Sequence, residues 1–67
     1  MIKFKVFEMM ARRDIKTRKA LAEASGIHPT RIGKIVDGSI TTLNVGHLEG
    51  LCRALACQPS DLFEYIP

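Results

Sequence analysis

No stretch of the 67-residue chain approaches the roughly 20 consecutive apolar residues that a membrane-spanning helix needs. The first residues contain Lys3 and Lys5, so they also lack the uninterrupted apolar core of a secretion signal. Low-complexity tracts, internal repeats and Pro/Gly-rich linkers are missing. These absences lead to the expectation of one domain over residues 1–67, cytoplasmic and with no membrane partner. Cysteine is scarce, with Cys52 and Cys57 alone. On a continuing helix their five-residue spacing puts them about 140° apart, so neither a local disulfide nor a shared metal is expected. His47, five residues before Cys52, meets the same objection. Both cysteines read as small apolar residues. No Ser/His/Asp or Cys/His set and no catalytic pair of carboxylates is present, so no enzyme, cofactor or metal site is expected.

With 46% hydrophobic and 25% charged residues, the chain has the composition of a folded domain. One this short buries only about 60% of its unfolded surface, so modest stability is expected.

The densest information lies in residues 17–38, TRKALAEASGIHPTRIGKIVDG. Thr17 is placed to cap a helix running to about Ala24, with Leu21 and Ala22 as its apolar positions. Ala22 is small enough for a second helix to cross closely. Gly26 sits where the turn calls for positive φ, Pro29 suits the first position of a new helix, and Asp37-Gly38 ends it. This is a helix-turn-helix, a unit suited to the DNA major groove. On the second helix Ile32, Ile35 and Val36 share an arc of roughly 100° that can face a core. Thr30 and Lys34 lie opposite, flanked by Gly33 and Arg31. Glycine inside a helix costs about 1 kcal/mol against alanine. Gly33 is therefore either a tolerated defect or, the preferred reading, a site of close approach to DNA.

Charge is uneven along the chain. Residues 12–34 hold Arg12, Arg13, Lys16, Arg18, Lys19, Arg31 and Lys34 against Asp14 and Glu23, whereas residues 35–67 set Arg53 against Asp37, Glu49, Asp61 and Glu64. A net +3 is unremarkable; its concentration on the helix-turn-helix points to nucleic acid. Arg18, Lys19 and Arg31 lie near expected helix N-termini, where the macrodipole disfavours cations and a docked phosphate reverses the penalty. A merely solvated cluster is the alternative. His28 begins the second helix as a weaker cap than Ser or Thr; its ring either donates to a phosphate or stands idle.

Elsewhere, Met1–Lys5 suits a short edge strand. Val6 to about Arg13 reads as helix one, burying Val6, Met10 and Phe7. Ser39–Leu43 reads as a loop, and Asn44 as the cap of a helix that buries Val45, Leu48, Leu51, Cys52 and Leu55. Gly46 and Gly50 weaken that helix, so packing must hold it. Pro59 opens a final turn, and Tyr65-Ile66-Pro67 can form a terminal strand against Met1–Lys5.

Leu21-Ala22, Gly26-Ile27, the run from Thr30 to Ile35, Asp37-Gly38, the run from Leu51 to Cys57 and that from Asp61 to Tyr65 occur in a telling order and spacing. Together they cover nearly the whole chain, which resembles the Cro/cI-type (Xre) helix-turn-helix family, especially its short stand-alone bacterial regulators. The resemblance implies an all-α, lambda-repressor-like bundle of about five short helices that binds double-stranded DNA, usually as a homodimer. Carried over by position, Thr30, Arg31 and Lys34 would contact base edges, while Pro29 and Gly33 would shape the close approach. Arg18, with Thr17 and Lys19 beside it, would contact phosphate. Ser39, Thr41, Thr42 and Asn44 match the loop that runs along the DNA backbone. Pro29 departs from the phage repressors, which have a polar reader there, and this loop lacks Lys and Arg. Both departures imply fewer contacts per subunit and a greater need for a second subunit or partner. The expected function is a sequence-specific regulator, most simply a repressor acting by operator occupancy. The alternatives are an antitoxin or protein-binding adaptor, with a toxin or co-regulator as partner, and binding of structured RNA.

Overall fold

Val6, Met9 and Met10 recur at the i, i+3, i+4 spacing that gathers side chains on one helix face, and all three are buried. In the computed structural model, which describes residues 1–67, they form the inner face of α1 (Val6–Arg12). It is followed by α2 (Arg18–Ser25), α3 (Pro29–Asp37) and α4 (Val45–Leu55). Short strands β1 (Ile2–Phe4) and β2 (Phe63–Tyr65) bracket the helices. The core gathers Val6, Met9 and Met10 of α1, Leu21 and Ala22 of α2, Ile27 of the turn, Ile32 and Ile35 of α3, Leu51 and Leu55 of α4, and Leu62.

Four α-helices are present where about five were expected. The last expected helix is a three-residue 3-10 turn, Pro59–Asp61, closed by the Gln58 backbone N–H donating to the Asp61 carboxylate at 2.9 Å. Its side chains lead straight into β2, so the chain has no room to propagate the turn. The expected terminal strand exists, two residues earlier than Tyr65. It pairs antiparallel with β1, with Ile2 opposite Tyr65 and Phe4 opposite Phe63. A two-stranded ribbon is marginal alone. Here the Phe4 and Phe63 rings meet edge to face at 5.0 Å, over the buried Leu62. No helix is long and apolar enough to cross a membrane.

Two residues expected inside lie outside. Phe7 is 68% exposed because it sits one step, about 100°, from the Val6–Met10 face, and Met9 fills that role. Val45 is 71% exposed, being the first residue of α4 and beyond the edge of the core.

The turns follow the local signals. Thr17 Oγ1 accepts from Ala20 N at 3.0 Å and Asn44 Oδ1 from His47 N at 2.7 Å, capping α2 and α4. Gly26 (φ 75°) and Gly38 (φ 77°) end α2 and α3 in the left-handed region. The end of α4 carries no such signal: Ala56 adopts φ 49°. The chain then doubles back, and Cys57 N donates to Cys52 O at 3.1 Å. This corrects the expectation that Cys52 and Cys57 occupy different faces. Their spacing straddles a helix end, and the left-handed residue brings the second cysteine back beside the first. Both thiols are free. Burial pushes the Cys57 thiol above the usual range, with a further push from neighbouring Cys52.

The tightest junction is between α2 and α4. A Cβ placed on Gly50 would come within 2.5 Å of the Ser25 carbonyl oxygen. The glycine that looked like a weakness of α4 is what lets α4 cross the end of α2.

Candidate nucleic-acid interface

The outer side of α3 is where the site is built. Ile32 and Ile35 are fully buried, so the helix is fixed in rotation about its axis, and Thr30 and Lys34 face outward, exposed. His28 caps this helix, its Nδ1 accepting from Thr30 N at 3.2 Å. The bond leaves Nε2 as the ring N–H, an exposed donor at a helix N-terminus. Pro29 occupies the first helical position, also exposed.

Beside Lys34 the loop 38–44 turns back along α3. Ser39 N and Ile40 N donate to Lys34 O at 3.0 and 3.3 Å. Ile40 and Leu43 pack against the core, while Ser39, Thr41 and Thr42 stay exposed. A polar cleft of about 380 Å³ opens between the helix and this loop, lined by Arg31, Lys34, Ser39, Ile40, Thr41 and Thr42. Five of these six are site residues expected from the sequence. Asn44 closes the loop, its side-chain oxygen engaged by the α4 cap.

The arginines are placed less simply than their charge suggested. Arg13 turns away from α3: its Nε donates to Leu55 O at 2.8 Å and its Nη2 to Ala56 O at 3.1 Å. It satisfies carbonyls at the end of α4, the end of a helix dipole that favours a cation. Arg18 crosses from the start of α2 to the end of α3, where Nη2 meets Asp37 Oδ1 at 2.6 Å. Both partners are about half exposed, so the pair contributes at most about 1 kcal/mol and can exchange with a phosphate. Arg18 passes over Gly33, its Nη1 lying 3.6 Å from where a Cβ would stand. An alanine would fit that contact, so Arg18 does not itself demand the glycine. Arg31 is half-buried, and its guanidinium is turned inward onto Thr42 and His47 rather than outward with Lys34. Lys19 and Thr17 are exposed at the start of α2.

The assembled face therefore offers Thr30, Lys34, the His28 ring N–H and the loop hydroxyls, with Arg18 and Lys19 at the next helix start. That is a set of hydrogen-bond donors around a protruding helix, suited to an extended anion flanking a groove. His47 and Gly50 are residues that the sequence pattern did not single out for these roles. Their partners lie on other elements, and no local spacing announces such contacts.

A family model described as a Cro/C1-type HTH DNA-binding domain matches residues 5–67. A curated relative, the "Uncharacterized HTH-type transcriptional regulator YozG" of Bacillus subtilis (strain 168), is 33% identical over 57 residues, which is 85% of this chain and 67% of that protein. No solved structure matches the chain significantly.

Proposed function

The chain belongs to the Cro/C1-type helix-turn-helix DNA-binding domains, and from that premise we propose that it is a cytoplasmic repressor that occupies a duplex operator with α3 in the major groove. The observation that carries this reading is the polar cleft between α3 and loop 38–44, next to an outward-facing Thr30 and Lys34. In the proposed complex Lys34 reaches guanine acceptors and Thr30 a thymine methyl or a base edge, each pairing supplying about 1–3 kcal/mol of discrimination. Pro29 and Gly33 keep the start of α3 slim where it enters the groove. Phosphates take the His28 ring N–H, Thr17, Arg18 and Lys19 on one side and Ser39, Thr41, Thr42 and Asn44 on the other. Because the loop contacts are neutral, cations at α2 and α3 carry the salt dependence.

The proposed operator-bound form is a homodimer. Met1, Ile2, Phe7 and Tyr65 are exposed apolar side chains at the sheet end and on α1, and a second copy would cover them. Selection from a random duplex library at near-physiological salt tests the proposal. One enriched motif with two half-sites about 10 base pairs apart is expected. Binding with no enriched motif would rule out operator recognition.

A further inference from the structure

Arg31 lies on α3 between the exposed Thr30 and the buried Ile32, a position from which a side chain can reach toward DNA, yet its guanidinium is already engaged. Nε donates to His47 Nδ1 on α4 at 3.1 Å. Nη2 donates to the Thr42 carbonyl at 2.8 Å and to the Thr42 hydroxyl oxygen at 3.3 Å. One side chain thus ties three elements together: α3, the middle of loop 38–44 and the first turn of α4.

The geometry has a chemical consequence. Arginine grips a guanine with two parallel N–H groups, taken either from Nε and Nη2 or from Nη1 and Nη2. Both edges include Nη2, which already donates to the Thr42 carbonyl and hydroxyl oxygens. A fork offered to a base therefore competes with the tie, since it must use the same Nη2, on one edge together with the Nε already bound to His47. The loop, in turn, depends on it. Ser39 and Ile40 are held from Lys34 O at one end and Asn44 caps α4 at the other, but between them the only hydrogen bonds to Thr42 come from Arg31. Without that tether Thr41 and Thr42 would hang from the packing of Ile40 and Leu43 alone.

We infer that Arg31 is a positioning residue: it fixes loop 38–44, and with it the hydroxyl-lined wall of the cleft, and leaves base reading to Lys34 and Thr30. The effect on DNA rests on the proposed DNA-binding face, whereas the tether itself does not. It follows that sequence preference is insensitive to Arg31 while affinity is sensitive to it, and that His47, which faces α3 from α4, acts on DNA through Arg31.

The test compares the wild type with Arg31→Lys, Arg31→Ala, His47→Ala, His47→Gln and the Arg31→Ala/His47→Ala double variant. Two quantities are read: backbone amide order parameters at residues 39–44, and the dissociation constant for the selected duplex and its single-base-pair variants. Arg31→Ala and Arg31→Lys are both expected to lower the order parameters of Thr41 and Thr42 from about 0.85 to below about 0.6, because lysine has no fork. Both are expected to weaken every duplex by a similar factor, with the order of preference unchanged. His47→Ala should reproduce part of the effect, His47→Gln should restore it through the amide oxygen, and the double variant should add nothing to Arg31→Ala. Loss of preference at one base pair in Arg31→Ala, with His47→Ala indistinguishable from wild type, would overturn the inference and make Arg31 a base reader. Unchanged loop order parameters in both arginine variants would overturn it as well. If the wild type bound no duplex at all, the DNA reading would fall, and the order parameters would still decide the tether.

Discussion

The two flanks of the helix-turn-helix are fastened in opposite ways. Where α2 meets α4, backbone lies against backbone: Gly50 faces the Ser25 carbonyl, with Leu21, Leu51 and Leu55 fully buried around it. Where α3 meets loop 38–44, the fastening is polar and partly exposed, through Arg31 to Thr42 and His47. Arg18 to Asp37 ties α2 to the end of α3 in the same manner. The first junction has one arrangement and no slack. In the second, the half-exposed Arg18–Asp37 pair can exchange with phosphate or water when a ligand arrives, while Arg31 keeps the loop in place. A small domain with little core to spare can in this way keep a rigid scaffold and an adaptable reading face.

The largest expected effect comes from filling the tight junction. Gly50→Ala gains helix propensity yet forces α4 off α2, and a net loss of about 2 kcal/mol is expected, lowering the thermal midpoint by roughly 10 °C. A midpoint at or above the wild-type value would show that the junction has slack after all. On the other flank, Lys34→Ala should leave the midpoint almost unmoved, since the side chain is exposed. Its cost should appear in binding, about 1–3 kcal/mol lost on the preferred duplex and less on a scrambled one. Titrations on both duplexes at one salt concentration separate the two cases.

A change of opposite sign is expected at the end of α4. Ala56 holds a left-handed conformation that costs an L-residue roughly 1–2 kcal/mol. Ala56→Gly should recover about 0.5–1 kcal/mol of that in chemical denaturation, after the added chain entropy of glycine. Smaller still is Asp37→Asn, which frees Arg18 and removes an acidic group beside the face. Stability should fall by less than about 1 kcal/mol, while duplex affinity at low salt should rise about threefold. A fall in affinity would mean that Arg18 acts only when held by Asp37. The smallest effect concerns Cys57. Its thiol is raised by burial and by Cys52, so the folded state favours the protonated form. Its contribution is present below the ordinary thiol range and is lost as pH rises through the raised value. Stability measured between about pH 8 and 10.5 should decline less steeply in Cys57→Ser than in the wild type.

The same contrast explains what could be read from the sequence. Thr17, Gly26, Asp37-Gly38 and Asn44 announced their helix ends because each acts on backbone within four residues. The core face of α3 was legible from period alone, whereas the pairing of the chain ends was read only as an option and placed two residues too late. Ala56 gave no warning, since alanine is the residue least suggestive of a left-handed helix end, and the relation of Cys52 to Cys57 was misjudged as a result. Contacts such as Arg13 to Leu55 and Arg31 to His47 join residues 42 and 16 positions apart. The charge count gathered these arginines into residues 12–34 but could not say that Arg13, Arg18 and Arg31 fasten elements together while Lys19 and Lys34 face solvent.

An amide chemical-shift titration of the labelled protein with an unlabelled duplex of the selected sequence tests the proposed face most directly. Shifts are expected to concentrate at residues 17–19, 28–34 and 39–44, with the buried residues of α4 nearly still. Shifts centred instead on β1, β2 and the exposed side of α1, around Lys3, Phe7, Arg12 and Tyr65, would contradict it and move the DNA to the sheet and α1.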